Sequence, residues 1–239
     1  MATDLVGPAG IVAALNWEMD VFASCPGGKS RLLLETTGPG PAAASAGAER
    51  AVARGAVCLV SWGTAGGLGR VEPGDIVLAD RVLDDASRII ATDASITETL
   101  ARAFGSIAQI RRATIHRGVL ASASEPVTSV ADKRALAEAS GAIAVDMESA
   151  AIGRVASAAG LPLVVVRVIV DRADRGVPAA AIAGMDGPRT RPGQVLLGLL
   201  ESPRETSGVI ALGLAARRAR RTLRACAPIV ASLSNGRSA

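Results

Sequence analysis

The run "LPLVVVRVIVD" at 161–171 limits how this chain can fold more than any other feature. It is dense in β-branched residues and shows no polar alternation, so it reads as a strand covered on both faces. Similar runs lie at 9–15, 31–37, 56–64, 74–83, 115–123 and 142–148, and Ala-rich segments of helical length separate them at 41–54, 94–104, 129–140 and 149–159. Strands alternating with helices predict an α/β fold, a mixed, mostly parallel twisted sheet flanked by helices. A chain of 239 residues is long enough to bury such a core as one domain. A last helical region, with gaps, is expected over 193–227.

Aromatic residues make up only 2% of the chain, with no Tyr, which leaves few stacking platforms and counts against a nucleic-acid module. Cys25, Cys58 and Cys226 are scattered and odd in number, fitting neither a disulfide framework nor a zinc spacing. With one histidine, His116, no metal site is expected, and that residue reads as a partly buried strand position. The N-terminus lacks a basic region before its short apolar run, and no run approaches the length of a membrane span, so a cytoplasmic protein is expected.

Carboxylates stand where the fold alone would not ask for them. Asp171 closes the valine run, where partial desolvation would raise its pKa and suit it to donate a proton. An N-cap, or a salt bridge to Arg167 or Arg172, explains it equally well. Asp146 and Glu148 sit where "AIAVDM" meets the helix "ESAAIGRVASAAG"; Glu148 could hold two sugar hydroxyls or simply favour the helix dipole, and Asp146 could support the turn. Glu18 follows the first strand, a place where most acids are solvated. The loop "SWGTAGGLG" reads as a strand over 56–62 running into a Gly-rich turn at 63–67, whose backbone can approach a ligand closely. It has neither the P-loop ending nor the dinucleotide spacing. The Gly- and Pro-rich stretch 175–194 is long for a connection and is either a mobile wall of the site or a plain linker. Trp17 and Trp62 are apolar walls or core.

Together "GIVAALNWEMD", "GTAGGL" followed by "GDIVLAD", and "VDMESAAIGRVA" followed by "VVVRVIVDRAD" resemble the nucleoside phosphorylase and nucleosidase superfamily over nearly the whole chain. The resemblance implies N-glycosidic bond cleavage. By position, Asp171 would protonate the leaving purine at N7, Glu18 would activate water, and Glu148 would hold the ribose hydroxyls. Met147 would pack on sugar and base, and Thr64, Ala65 and Gly66 would line the ribosyl or anion side. No metal and no cofactor are implied, with phosphate open as a co-substrate and Arg31, Arg50 and Arg70 as candidates to bind it. A homo-oligomer is implied as well.

Within the superfamily, "TTGPGPAAASAGAERAVARGA", "VDMESAA", "RVIVDRAD" and the tail are most similar to the hopanoid-associated phosphorylase group, which implies adenine release from adenosylhopane. The alternatives are a methylthioadenosine/S-adenosylhomocysteine- or futalosine-type nucleosidase and a non-catalytic nucleoside-binding module. The chain divides into an α/β region at 1–201 and a basic tail at 202–239 belonging to the same domain. Seven Arg against one acid give the tail +6 and leave −2 for the rest of a chain of net charge +4. In that tail Val209, Leu212, Ala216, Ala219, Leu223 and Cys226 form an apolar helical stripe, with Arg217, Arg218, Arg220, Arg221 and Arg224 on the remaining surface. Such a helix can lie on an anionic membrane, peripheral to its inner face, or be a packed last helix with a solvated Arg face.

Overall fold

The computed structural model describes residues 6–25, 32–179, 185–186, 189–190 and 206–234. The strands are β1 (Ala9–Ala13), β2 (Leu32–Thr36), β3 (Cys58–Gly67), β4 (Ile76–Asp84), β5 (Ile89–Ala91), β6 (Ile115–Ser122), β7 (Ala144–Asp146), β8 (Leu163–Asp171) and a short antiparallel pair, β9 (Met185–Asp186) with β10 (Arg189–Thr190). The helices are α1 (Asn16–Met19), which runs into a 3-10 turn at Asp20–Ser24, α2 (Pro41–Ala53), α3 (Ala94–Arg111), α4 (Val130–Ser140), α5 (Ser149–Ala158) and α6 (Thr206–Ser232).

β8 is the valine run, and it lies in the middle because both of its faces are covered. Val164, Val166 and Val168 pack with Trp62, Ile76 and Leu223 on one side, while Leu163, Val165 and Ile169 pack with Leu59, Ala48 and Ile152 on the other. It pairs parallel to β3 and antiparallel to β4. Parallel pairs β1–β2, β1–β3, β4–β6 and β6–β7, and antiparallel pairs β3–β7 and β4–β5, complete a mixed, mostly parallel sheet. The pairings β3–β8–β4–β6–β7 return to β3, so the middle of the sheet curls into a closed ring. Closure at Gly66 and Gly67 brings the end of β3 beside the end of β7. This juxtaposition builds the site.

The structure corrects three expectations. The glycine-rich stretch 63–67 is not a turn but the last part of β3, with a register shift between Ala65 and Gly66. β5 was not expected; it is three residues long and pairs with β4, too short to leave a pattern. The last helix extends to Ser232, and residues 193–205 of the expected region lie outside the described residues, as does most of the stretch 175–194.

The tail's apolar stripe is used inside the protein. Ala219, Leu223 and Cys226 are fully buried, and α6 packs on β8, α3 and the 3-10 turn, leaving Arg217, Arg218, Arg220, Arg221 and Arg224 exposed. Those three residues of the stripe therefore face the core and not the surface. Because Leu223 sits in a filled core, Leu223→Ala is expected to cost about 2–5 kcal/mol through lost burial and the cavity left behind, read as a lower denaturant midpoint at unchanged slope.

Candidate active site

The ends of β3 and β8, the junction of β7 with α5, the start of α1 and the first half of α6 enclose a cavity of about 400 Å³. Its polar wall holds Glu18, Thr64, Asp146, Glu148 and Asp171; its apolar wall includes Trp17, Met147, Val170, Val177 and Leu212. A wider depression of about 710 Å³ lies between β5 and α5, but its Arg88 and Arg154 both pair with its own Asp84 and none of the expected site residues borders it. Convergent acids single out the smaller cavity.

Glu18 is not a solvated surface group. It is 2% exposed, and its carboxylate is held from two sides. The Thr64 amide and hydroxyl donate to Oε1 at 2.8 and 2.6 Å, and the Leu15 amide donates to Oε2 at 3.1 Å. The Trp62 indole donates to the Glu18 carbonyl at 2.9 Å, fixing α1 to β3. Gly63 is required here. A Cβ at that position would stand 2.9 Å from the Glu18 carboxyl and 2.7 Å from Arg167, at a φ of +150°. Burial pushes the Glu18 pKa up, against the pull of the Thr64 hydrogen bond and Arg167.

Arg167 lies under the same wall, fully buried. Its Nη2 is 2.6 Å from Asp146 and 3.5 Å from Glu148, and it donates to Ser61 Oγ at 2.7 Å; Nη1 donates to the Thr64 carbonyl at 3.4 Å. One cation therefore serves Asp146, Glu148 and Glu18 together. Three buried carboxylates cannot all be ionised cheaply beside a single positive charge. The strain falls on Glu148, whose pKa is pushed up to about 7, chiefly by burial and partly by Asp146, while Arg167 pulls it down. Glu148 occupies the N-cap position of α5 yet its side chain does not cap the helix. It turns to accept the Gly40 amide at 3.1 Å and borders the cavity. Asp146 does support the turn, accepting from the Ser149 amide and hydroxyl.

Asp171 pairs with neither Arg167 nor Arg172. Arg167 is taken by Asp146, and Arg172 reaches Glu72 and Asp174. The partner of Asp171 is Lys133 of α4, a fully buried side chain that sequence reasoning missed. Burial pushes the Asp171 pKa up; Lys133 and the Gly67 amide pull it down. The available signal was compositional, since only Lys29 and Lys133 among 26 basic residues are lysines.

Thr64, Ala65, Gly66 and Met147 border the cavity. Gly66 lets β3 pass close to Asp171, where an added Cβ would stand 3.0 Å from Oδ1. Trp17 is a cavity wall and Trp62 is core, packed on Phe22 with ring centroids 5.0 Å apart. His116 pairs with Asp75 at 2.9 Å, away from the cavity. Among the anion-binding candidates, Arg50 is engaged by Glu35, Arg70 is exposed and does not border the cavity, and Arg31 lies outside the described residues. Among the described residues no cluster has the donors for a metal ion.

Comparison with known proteins places this geometry in context. A family model described as the Phosphorylase superfamily matches residues 20–188, a span that holds Thr64, Lys133, Glu148 and Asp171 and begins just after Glu18. No curated protein matches the chain. Solved structures do. A 5'-methylthioadenosine/S-adenosylhomocysteine nucleosidase from Neisseria meningitidis, in complex with methylthio-immucillin-A, is 18% identical over 94% of this chain and 100% of its own, with a TM-score of 0.67. A mutant of the Helicobacter pylori nucleosidase with 5'-methylthioadenosine in the active site is 19% identical over 93% and 98%, with a TM-score of 0.64. Futalosine hydrolase of the same organism is 19% identical over 92% and 97%, also at 0.64.

Proposed function

The chain belongs to the phosphorylase superfamily, and from that premise we propose that it cleaves the N-glycosidic bond of a purine nucleoside of the methylthioadenosine type, with water as the nucleophile. One observation carries the reading: Glu18, Glu148 and Asp171, from three separate elements, meet on one cavity wall. They divide the labour as the carboxyl pair of a glycoside hydrolase does, one group supplying a proton to the leaving group and another preparing the nucleophile. Asp171 would protonate the purine at N7. Among the described residues Glu18 Oε2 accepts only the Leu15 amide, which leaves it room to accept from a water molecule beneath the sugar. Glu148 would take the ribose hydroxyls.

Water is favoured over phosphate because the cavity wall, among the described residues, carries carboxyl groups and no Arg or Lys. The small nucleoside is favoured because about 400 Å³ lies near the lower end of the roughly 300–1,000 Å³ usual for ligand pockets. Adenosylhopane is the second reading, with one observation on its side. Ile210 and Leu214 are 58% and 60% exposed on the helix whose Val209 and Leu212 border the cavity, so a hydrocarbon body too large to enter would find apolar surface and then the Arg face outside. That reading brings contact with anionic membrane, expected as salt-sensitive co-sedimentation with anionic vesicles. A homo-oligomer is proposed on the resemblance, to be read by light scattering. The experiment that decides is release of the purine base from methylthioadenosine, futalosine-type and adenosylhopane substrates, each with and without phosphate. Phosphate-independent release, fastest with methylthioadenosine, is expected; release confined to adenosylhopane would promote the second reading.

The ribose clamp has its own signature. Glu148 accepts hydroxyls best when ionised, and its raised pKa places that ionisation near pH 7. KM is therefore expected to fall as pH rises through about 7. In Glu148→Gln the dependence should vanish and KM stay high, whereas a 2',3'-dideoxy substrate should not distinguish the variant from the wild type.

A further inference from the structure

We propose that Lys133 is the source of the proton that Asp171 hands to the leaving purine, a positioning residue that acts through that carboxyl group. The inference rests on the proposed purine release. A general acid beside a permanent cation would be held ionised and have nothing to give, so the presence of Lys133 needs an account. The surroundings of its Nζ supply one.

Lys133 Nζ is buried and meets three acceptors: Asp171 Oδ2, the Arg172 carbonyl at 2.9 Å and the Arg175 carbonyl at 2.8 Å. As an ammonium ion it has three N–H groups for three acceptors. As a neutral amine it keeps two N–H groups for the two carbonyls, and its lone pair accepts the O–H of a protonated Asp171. Both states are fully hydrogen-bonded, so one proton can pass between Nζ and the carboxylate without leaving a buried group unsatisfied. Arginine cannot do this, because its guanidinium does not give up a proton in a protein. In a chain with 24 Arg and two Lys, the lysine stands at this position. The other charged groups on the cavity wall, Glu18, Glu125, Asp146 and Glu148, are all acids, and the Arg172 side chain is occupied by Glu72 and Asp174. Burial of Asp171 raises its proton affinity and brings it nearer that of the amine.

The step balances. The bond between C1' and N9 breaks with its electron pair going to the base, N7 takes a proton from Asp171, and Asp171 takes one from Lys133, which is left neutral. The water oxygen bonds to C1' and its proton goes to Glu18. Exchange with solvent then returns a proton to Lys133 and removes one from Glu18.

The test compares methylthioadenosine with its N7-methylated derivative, whose base is already cationic and leaves without a proton. In Lys133→Arg the ion pair persists but the donor is lost. Turnover of methylthioadenosine is expected to fall about 10²–10⁴-fold, and turnover of the N7-methylated substrate to stay close to wild type. Equal loss on both substrates would make Lys133 a structural pin, and no loss on either would remove it from the proton path; both outcomes overturn the proposal. A wild-type protein that cleaves neither substrate would instead sink the proposed function itself. Should the Arg variant melt early, Lys133→Met gives an independent reading. The proton is then held by a lone carboxyl group instead of a carboxyl–ammonium pair, so the alkaline limb of kcat for methylthioadenosine moves to lower pH. An unmoved limb would contradict the relay.

Discussion

Asp171→Asn is expected to lower purine release from methylthioadenosine by about 10²–10⁴-fold at neutral pH, the usual worth of a positioned general acid. The amide keeps the shape and its oxygen can still accept from Lys133, but it cannot pass a proton to N7. Stability should fall as well. Lys133 is fully buried, and removing the charge opposite it leaves an uncompensated cation, a loss of about 3–5 kcal/mol when a buried pair is broken outright. The surviving hydrogen bonds to the Arg172 and Arg175 carbonyls keep the loss toward the lower figure. Single-turnover adenine release, paired with a denaturant curve, separates the two effects. Turnover near wild type in a folded Asn variant would remove Asp171 from the chemistry.

Glu18→Gln is expected to produce a loss of similar size, about 10²–10⁴-fold, for a different reason. A carboxylate takes the proton of the attacking water and an amide does not. The substitution also disturbs the local bonds. Glu18 accepts from the Thr64 amide and hydroxyl on one oxygen and from the Leu15 amide on the other, so the NH₂ of a glutamine must face an N–H donor in either orientation. The N7-methylated substrate distinguishes the two variants. It should rescue Asp171→Asn, where only the proton to the base is missing, and should not rescue Glu18→Gln, where the nucleophile is unprepared. The pH profile adds a sign. Glu18 works ionised and its pKa is raised by burial, so the acid limb of kcat lies above the ordinary glutamate range and activity is lost as pH falls through it. That limb should be missing from the Gln variant.

Much of the sheet was legible because a strand buried on both faces leaves a continuous apolar run, and β8 keeps that property over nearly its whole length. The end of β3 was misread because glycines usually mark turns. Here they let a strand pass beside carboxyl groups at Glu18 and Asp171. A cap or a salt bridge explained Asp171 as well as a role in the chemistry did, but the acids at strand ends were visible as residues. Their partners were not. Four residues of strand separate Arg167 from Asp171 by about 13 Å, and the arginine serves Asp146 and Glu148 instead. Lys133 comes from a helix between two other strands, and its partners include backbone carbonyls, which leave no trace in residue identities. The stripe on α6 was legible as a stripe but not as cavity wall and core, because an apolar face does not say what covers it.

Hydrolysis by carboxylate-activated water is tested most directly by the fate of oxygen. Wild-type protein and methylthioadenosine in H₂¹⁸O, free of phosphate, should yield free adenine and a sugar carrying the label on C1. Adenine release that requires phosphate and leaves C1 unlabelled, or no release from the wild-type protein in either condition, would contradict the account.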